Sequence, residues 1–97
     1  MLTISYDKDG KVVSDANAIS FAKKTITSLS QDDTFICVGT HMMIDAFRVL
    51  VKRGEISHEQ ICFKHEDQIL QVNPDGRLNK WPSEFCKEHD LFLVELL

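Results

Sequence analysis

The side chains whose type and spacing could do chemistry gather around His41. It follows the apolar run Phe35-Ile36-Cys37-Val38 and the pair Gly39-Thr40, so an imidazole stands where a buried strand feeds a helix. Free backbone N–H groups and the helix dipole at such a junction favour an anion, which makes Gly39, Thr40 and His41 a candidate phosphate-sensing set. Cys62 with His65 and Cys86 with His89 repeat a Cys-x-x-His spacing, and Cys and His are the usual ligands of structural zinc. An odd separation within a strand, however, points Cys62 and His65 to opposite faces. Cys86 and His89 share a helical face, but two ligands do not close a tetrahedral site, and no metal is assigned. Nucleophilic catalysis would have to draw on Cys37, Cys62, Cys86 and the histidines. Cys37 and Cys62 fall in apolar runs where a thiol is expected to be buried and inert, and no Gly-x-Ser-x-Gly elbow is present. No catalytic residue and no cofactor are assigned, and the expectation is that the chain is not an enzyme.

The elements that must position these residues read as follows. Leu2 to Tyr6 and Lys11 to Ser14 flank Asp7-Lys8-Asp9-Gly10, the pattern of a β-hairpin in which Gly supplies a positive φ. Ser14 or Asp15 can cap a helix carrying Ile19, Ala22, Ile26 and Leu29 at helical spacing. Thr34 to Val38 is wholly apolar or β-branched, which predicts a central strand covered on both faces. A helix from about Met42 to Arg53 follows, with Met43, Phe47, Leu50 and Val51 facing inward and Gly54 as its stop. Asp45 reads as a favourable acid in its first turn, and Arg48, Lys52 and Arg53 read as solvent-facing charges. Ser57 to Gln60 has capping-box spacing, Ile61 to Lys64 and Gln68 to Val72 read as strands, and Asn73-Pro74-Asp75-Gly76 as a turn. After Trp81-Pro82, Ser83 can cap a last helix. Trp81, beside a tight turn, reads as an anchor fastened in the core.

The order β-β-α-β-α-β-β-α predicts an α/β fold: one small domain over 1–97, with a mixed sheet, an N-terminal hairpin and two or three packed helices. A helix over Leu91 to Leu97 would be apolar on most of its circumference. Leu91, Phe92, Leu96 and Leu97 are therefore candidate interface residues, and a homo-oligomer or a larger protein partner is expected. The alternative for Leu91 to Leu96 is a buried C-terminal strand, because a short apolar run does not separate the two.

Ninety-seven residues suffice for one core. A formal net charge of -4 disfavours nucleic acid as the main partner. No apolar run approaches the roughly 18 residues that span a bilayer, so no membrane association is expected. The N-terminus lacks the basic and apolar regions of a secretory signal, and the odd cysteine count fits a reducing, cytoplasmic setting.

The segment 34–85 resembles the C-terminal part of AAA/ABC-type ATPases of the RecF-like and overcoming-lysogenisation kind, found in many defence systems. The matching pieces are Phe35-Ile36-Cys37-Val38 before Thr40-His41, Arg53-Gly54-Glu55-Ile56, Glu59-Gln60-Ile61, Asp75-Gly76-Arg77-Leu78, and Trp81-Pro82 with Phe85. In that family the strand ends in Thr-His-Ser, whose histidine faces the γ-phosphate; here Met42 replaces the serine. The resemblance implies an ATPase tail with a switch histidine at His41. The phosphate-binding loop is missing, since no Gly-rich run precedes Gly10-Lys11 and Val follows it. The paired acids Asp32-Asp33 precede an apolar strand instead of ending one. The sequence reading is therefore a non-catalytic protein-interaction or regulatory module, part of or an inhibitor of a phage-defence or toxin system. The alternative is a small enzyme or nucleotide-sensing domain that uses His41.

Overall fold

A computed structural model describes residues 1–30 and 32–79. The Trp81 anchor, the Ser83 helix, the pair Cys86 and His89, and the interface residues Leu91, Phe92, Leu96 and Leu97 lie outside the described residues. The alternation of Leu2, Ile4 and Tyr6 with Thr3 and Ser5 gives strand β1 (Leu2–Lys11) one apolar face, which the pleat turns into the core. A single 3-10 turn (Asp15–Asn17) leads to α1 (Ala18–Thr27), β2 (Thr34–Val38), α2 (His41–Lys52), β3 (Ile61–His65) and β4 (Gln68–Gln71). The strands form an open mixed sheet in the order β2-β1-β3-β4. β1 runs parallel to both its neighbours, and β4 runs antiparallel to β3. The α/β class with a mixed sheet and packed helices is thus the one its sequence pattern predicts.

Of the two flanks of the expected hairpin, Leu2 to Tyr6 lies in β1, and of Lys11 to Ser14 only Lys11 does. Tyr6 and Lys11 pair with the same residue, Val38, from its two sides, and the residues between them carry the chain across the end of β2. Gly10 serves there by having no side chain, since a Cβ would lie 2.6 Å from the Val38 carbonyl carbon. Its φ is not positive, in contrast to Gly54 and Gly76. β2 corrects a second expectation: it is an edge strand, not a central one. Val38 is buried, whereas Phe35 is 74% exposed and Cys37 is exposed. A run of uniformly apolar residues carries no alternation to tell which face is covered, so the sequence pattern misassigns it.

Both helices pack on the same face of the sheet. Ala18 and Ala22 of α1 are buried small residues that let it approach α2, and Phe21 meets Phe47 edge-on at 6.3 Å between ring centroids. The β1–α1–β2 and β2–α2–β3 units step in opposite directions along the sheet but cross the same face. They are therefore of opposite hand, so one departs from the right-handed rule for parallel crossovers. Helix α2 begins at its N-cap Thr40, whose Oγ1 accepts from the Met43 N–H at 3.2 Å. It ends in a Schellman turn at Gly54 (φ +77), with Glu55 N–H donating to the Leu50 carbonyl and Gly54 N–H to that of Val51. Ser57 to Gln60 forms a turn and not a helical segment, with Gln60 N–H donating to the Ser57 carbonyl at 2.9 Å.

Every residue of α2 from Met43 to Val51 is buried, including Arg48, which the sequence places at the surface. Arg48 is fully buried and not a surface charge. Its NH1 donates to Asp45 Oδ1 at 2.9 Å and its Nε to the Gly76 carbonyl at 2.7 Å. The reason is the Asn73–Gly76 turn, which folds back onto α2 and covers that side. The turn is held by Gly76 N–H donating to the Asn73 carbonyl at 2.8 Å and Asn73 N–H to the Arg77 carbonyl at 2.7 Å. Gly76 has φ +86, and a Cβ there would meet the Arg48 carbonyl oxygen at 2.6 Å. Gly54 has a similar φ but open space around it. Urea unfolding should therefore separate them: Gly54→Ala is expected to cost about 1 kcal/mol from its left-handed backbone alone. Gly76→Ala is expected to cost about 2–3 kcal/mol, since it adds a backbone clash.

Candidate functional site

The carboxyl ends of the three parallel strands bring Tyr6, His41 and His65 together. Tyr6 is where β1 leaves its regular pairing, His65 is its register partner at the end of β3, and His41 opens α2 just after β2. The Tyr6 ring lies 4.7 Å from the His41 ring and 6.0 Å from the His65 ring, centroid to centroid, with tilted planes. Such offsets suit the ring quadrupoles, so the three rings fasten the strand ends to one another. Sequence reasoning selects His41 alone. Tyr6 and His65 carry no local signal, because only the sheet order β2-β1-β3 makes them neighbours.

The phosphate-sensing set is partly committed elsewhere. The Gly39 N–H donates to the Lys11 carbonyl at 2.8 Å, and the Thr40 hydroxyl is spent on the α2 cap. Gly39 is instead required by packing, since a Cβ there would approach the Gly10 carbonyl oxygen to 2.8 Å. Asp45 is bonded to Arg48 on the helix, which gives the acid a structural partner. Cys62 and His65 face opposite sides of β3, as their odd spacing implies: the Cys62 thiol lies 3.5 Å from Thr3 Oγ1, and His65 lies against Tyr6. Among the described residues no group of three His, Cys, Asp or Glu side chains is placed to hold a metal ion.

The other face of the sheet is built differently. Thr3, Ser5, Phe35, Cys37, Lys64 and Ile69 line a shallow groove of about 420 Å³ there, across which neither described helix lies. Phe35 and Ile69 (53% exposed) sit at opposite strands of this face, Phe35 beside Thr3 and Ile69 beside Lys64. Cys37, expected to be buried, is exposed here, whereas Cys62 is only 7% exposed.

The chain also meets both edges of its sheet. Beyond β4, the Asn79 N–H donates to the Gln71 carbonyl at 2.9 Å and the Gln71 N–H donates to Asn79 Oδ1 at 3.1 Å, so the chain covers its own edge. On the far side of β2, Lys11 pairs with Val38 and accepts from the Gly39 N–H at 2.8 Å, so that end of the edge is covered by the chain as well. No protein-family model, curated protein or solved structure matches the chain. No helix among the described residues is long and apolar enough to cross a membrane.

The two thiols give a direct check on this geometry. Cys37 should be alkylated in the native protein on the order of a hundredfold faster than Cys62, whose modification waits on local opening. Peptide mass spectrometry after timed labelling reads both. Equal rates would mean that β2 is covered or that β3 is not.

Proposed function

We propose that the chain is a non-catalytic protein-interaction or regulatory module that works through the uncovered side of its sheet, with the distal part of a RecF-like ATPase core as its ancestry. The observation that carries this is Phe35, a large aromatic 74% exposed on an edge strand, with Ile69 exposed on the same face. Large apolar side chains left exposed at the two ends of a face that no described helix covers are suited to contact with another molecule. The strand-end cluster supports the non-catalytic half of the reading. Gly39 and Thr40 are committed to backbone and capping bonds, and the rings of Tyr6, His41 and His65 pack on one another as a fastening.

A nucleotide-sensing role for His41 makes the opposite prediction. A ligand that binds the native state raises the melting temperature. Melting of the full chain with magnesium and ATP or ADP in excess is expected to leave the transition where it is in buffer. An upward shift that His41→Ala abolishes would replace the interaction reading with the nucleotide-sensing one.

A further inference from the structure

We infer that the chain's own C-terminal segment, Leu91–Leu97, seats across Cys62 and Thr3 on the sheet face opposite the helices and stops short of Phe35 and Ile69. The inference goes beyond the interaction reading above, because it assigns the middle of that face to the chain itself and leaves the margins for a partner.

Burial on this face is uneven. Thr3 pairs with Phe35 on one side and Cys62 on the other, and Cys62 pairs with Gln71, so the four residues form one row across the sheet. The two ends of the row are open, since Phe35 is 74% exposed and Gln71 is exposed. The middle is not. Thr3 is 9% and Cys62 7% exposed, although neither described helix lies on this side. Small size alone does not account for this. Ser5 is smaller than Thr3 and follows it on the same face of β1, flanked by Cys37 and Lys64, yet it is only half-buried. The Thr3 hydroxyl and the Cys62 thiol lie 3.5 Å apart and satisfy each other, so the pair suits an apolar cover.

The place where the described chain ends points to the occupant. Asn79 bonds to the backbone N–H and carbonyl of Gln71, at the end of the same row, so the chain arrives one strand away from Cys62. At the spacing of paired strands, Cys62 and Thr3 lie about 5 and 10 Å further in. Residues 80–90 span that distance even at a helical rise of about 1.5 Å per residue. They are mostly polar, whereas Leu91-Phe92-Leu93-Val94-Glu95-Leu96-Leu97 carries a single charge in an otherwise apolar run. Covering such a run gains about 25 cal/mol for each Å² of apolar surface taken from water. Charge agrees as well: Lys64, two residues from Cys62 on the same face, offers a cation to Glu95. Phe35 and Ile69 stay exposed at the margins, which is where the interaction reading needs them.

NMR on the full chain, mixed from isotope-labelled and unlabelled copies, tests this. Nuclear Overhauser contacts are expected between the Thr3 methyl and the side chains of Leu91–Leu97 within one molecule, and none between labelled and unlabelled molecules. Phe92→Asp combined with Leu96→Asp puts two further charges into the run. Cys62 is then expected to be alkylated at least about tenfold faster, with the rate at Cys37 unchanged. Slow amide exchange in α2 checks that this variant is still folded. The inference is overturned if Leu91–Leu97 makes no contact with Thr3, if the contacts run only between different molecules, or if the folded variant keeps the wild-type rate at Cys62. Each of those results leaves the interaction reading standing. Contacts within one chain that reach the Phe35 ring would overturn the inference and the interaction reading together, because the face would then be closed.

Discussion

A guanidinium held out of water imposes the tightest constraint in this fold. Arg48 is fully buried in the middle of a helix whose neighbouring residues are all buried, and an unpaired cation at that depth would be several kcal/mol unfavourable. Asp45, one turn earlier, supplies the opposite charge, and the Gly76 carbonyl takes a second N–H. The second bond fixes the Asn73–Gly76 turn against α2, and Gly76 must lack a side chain for the turn to come that close. From there the chain returns along β4, where Asn79 covers the edge. One buried charge thus ties together the helix layer, the turn and the sealed side of the sheet.

The other side follows from where the helices go. In a sheet ordered β2-β1-β3 with right-handed crossovers, successive helices take opposite faces and cover both. Here α1 and α2 share one face, which builds a single core around Leu2, Ile4, Phe47, Ile61 and Phe63. The second face is left with Thr3, Ser5, Phe35, Cys37, Lys64 and Ile69, across which neither described helix lies. Parallel strands are normally covered on both faces, so a face that no described helix covers is suited to contact. The functional proposal grows from this asymmetry. The histidine cluster enters it only on the non-catalytic side, because its rings pack on one another.

The sequence made much of the helix layer legible. Helical spacing located α1 and α2, and Gly54 and the Asn73–Gly76 turn stand where Gly and Pro signals put them. What it hid depends on contacts between distant residues. Arg48 reads as a surface cation because nothing near it in sequence shows that residues 73–76 fold over it. Phe35 and Cys37 read as core because an apolar strand looks the same whether one or both faces are covered. Tyr6 and His65 gave no sign of joining His41, since their proximity depends on strand order. Gly10 and Gly39 illustrate the same limit: the Val38 carbonyl passes too close for a Cβ at Gly10 and the Gly10 carbonyl too close for one at Gly39, a long-range demand that local turn signals imitate.

The central claim is that the helix side is internally satisfied and the Phe35 face of the sheet is left for contact. Urea unfolding of two alanine variants tests it most directly. Phe47→Ala, on the helix side, is expected to cost about 3–5 kcal/mol. Phe35→Ala, at a side chain 74% exposed, is expected to change stability by no more than about 0.5 kcal/mol. A loss at Phe35 comparable to that at Phe47 would contradict the account, because it would mean that Phe35 is already covered within one chain.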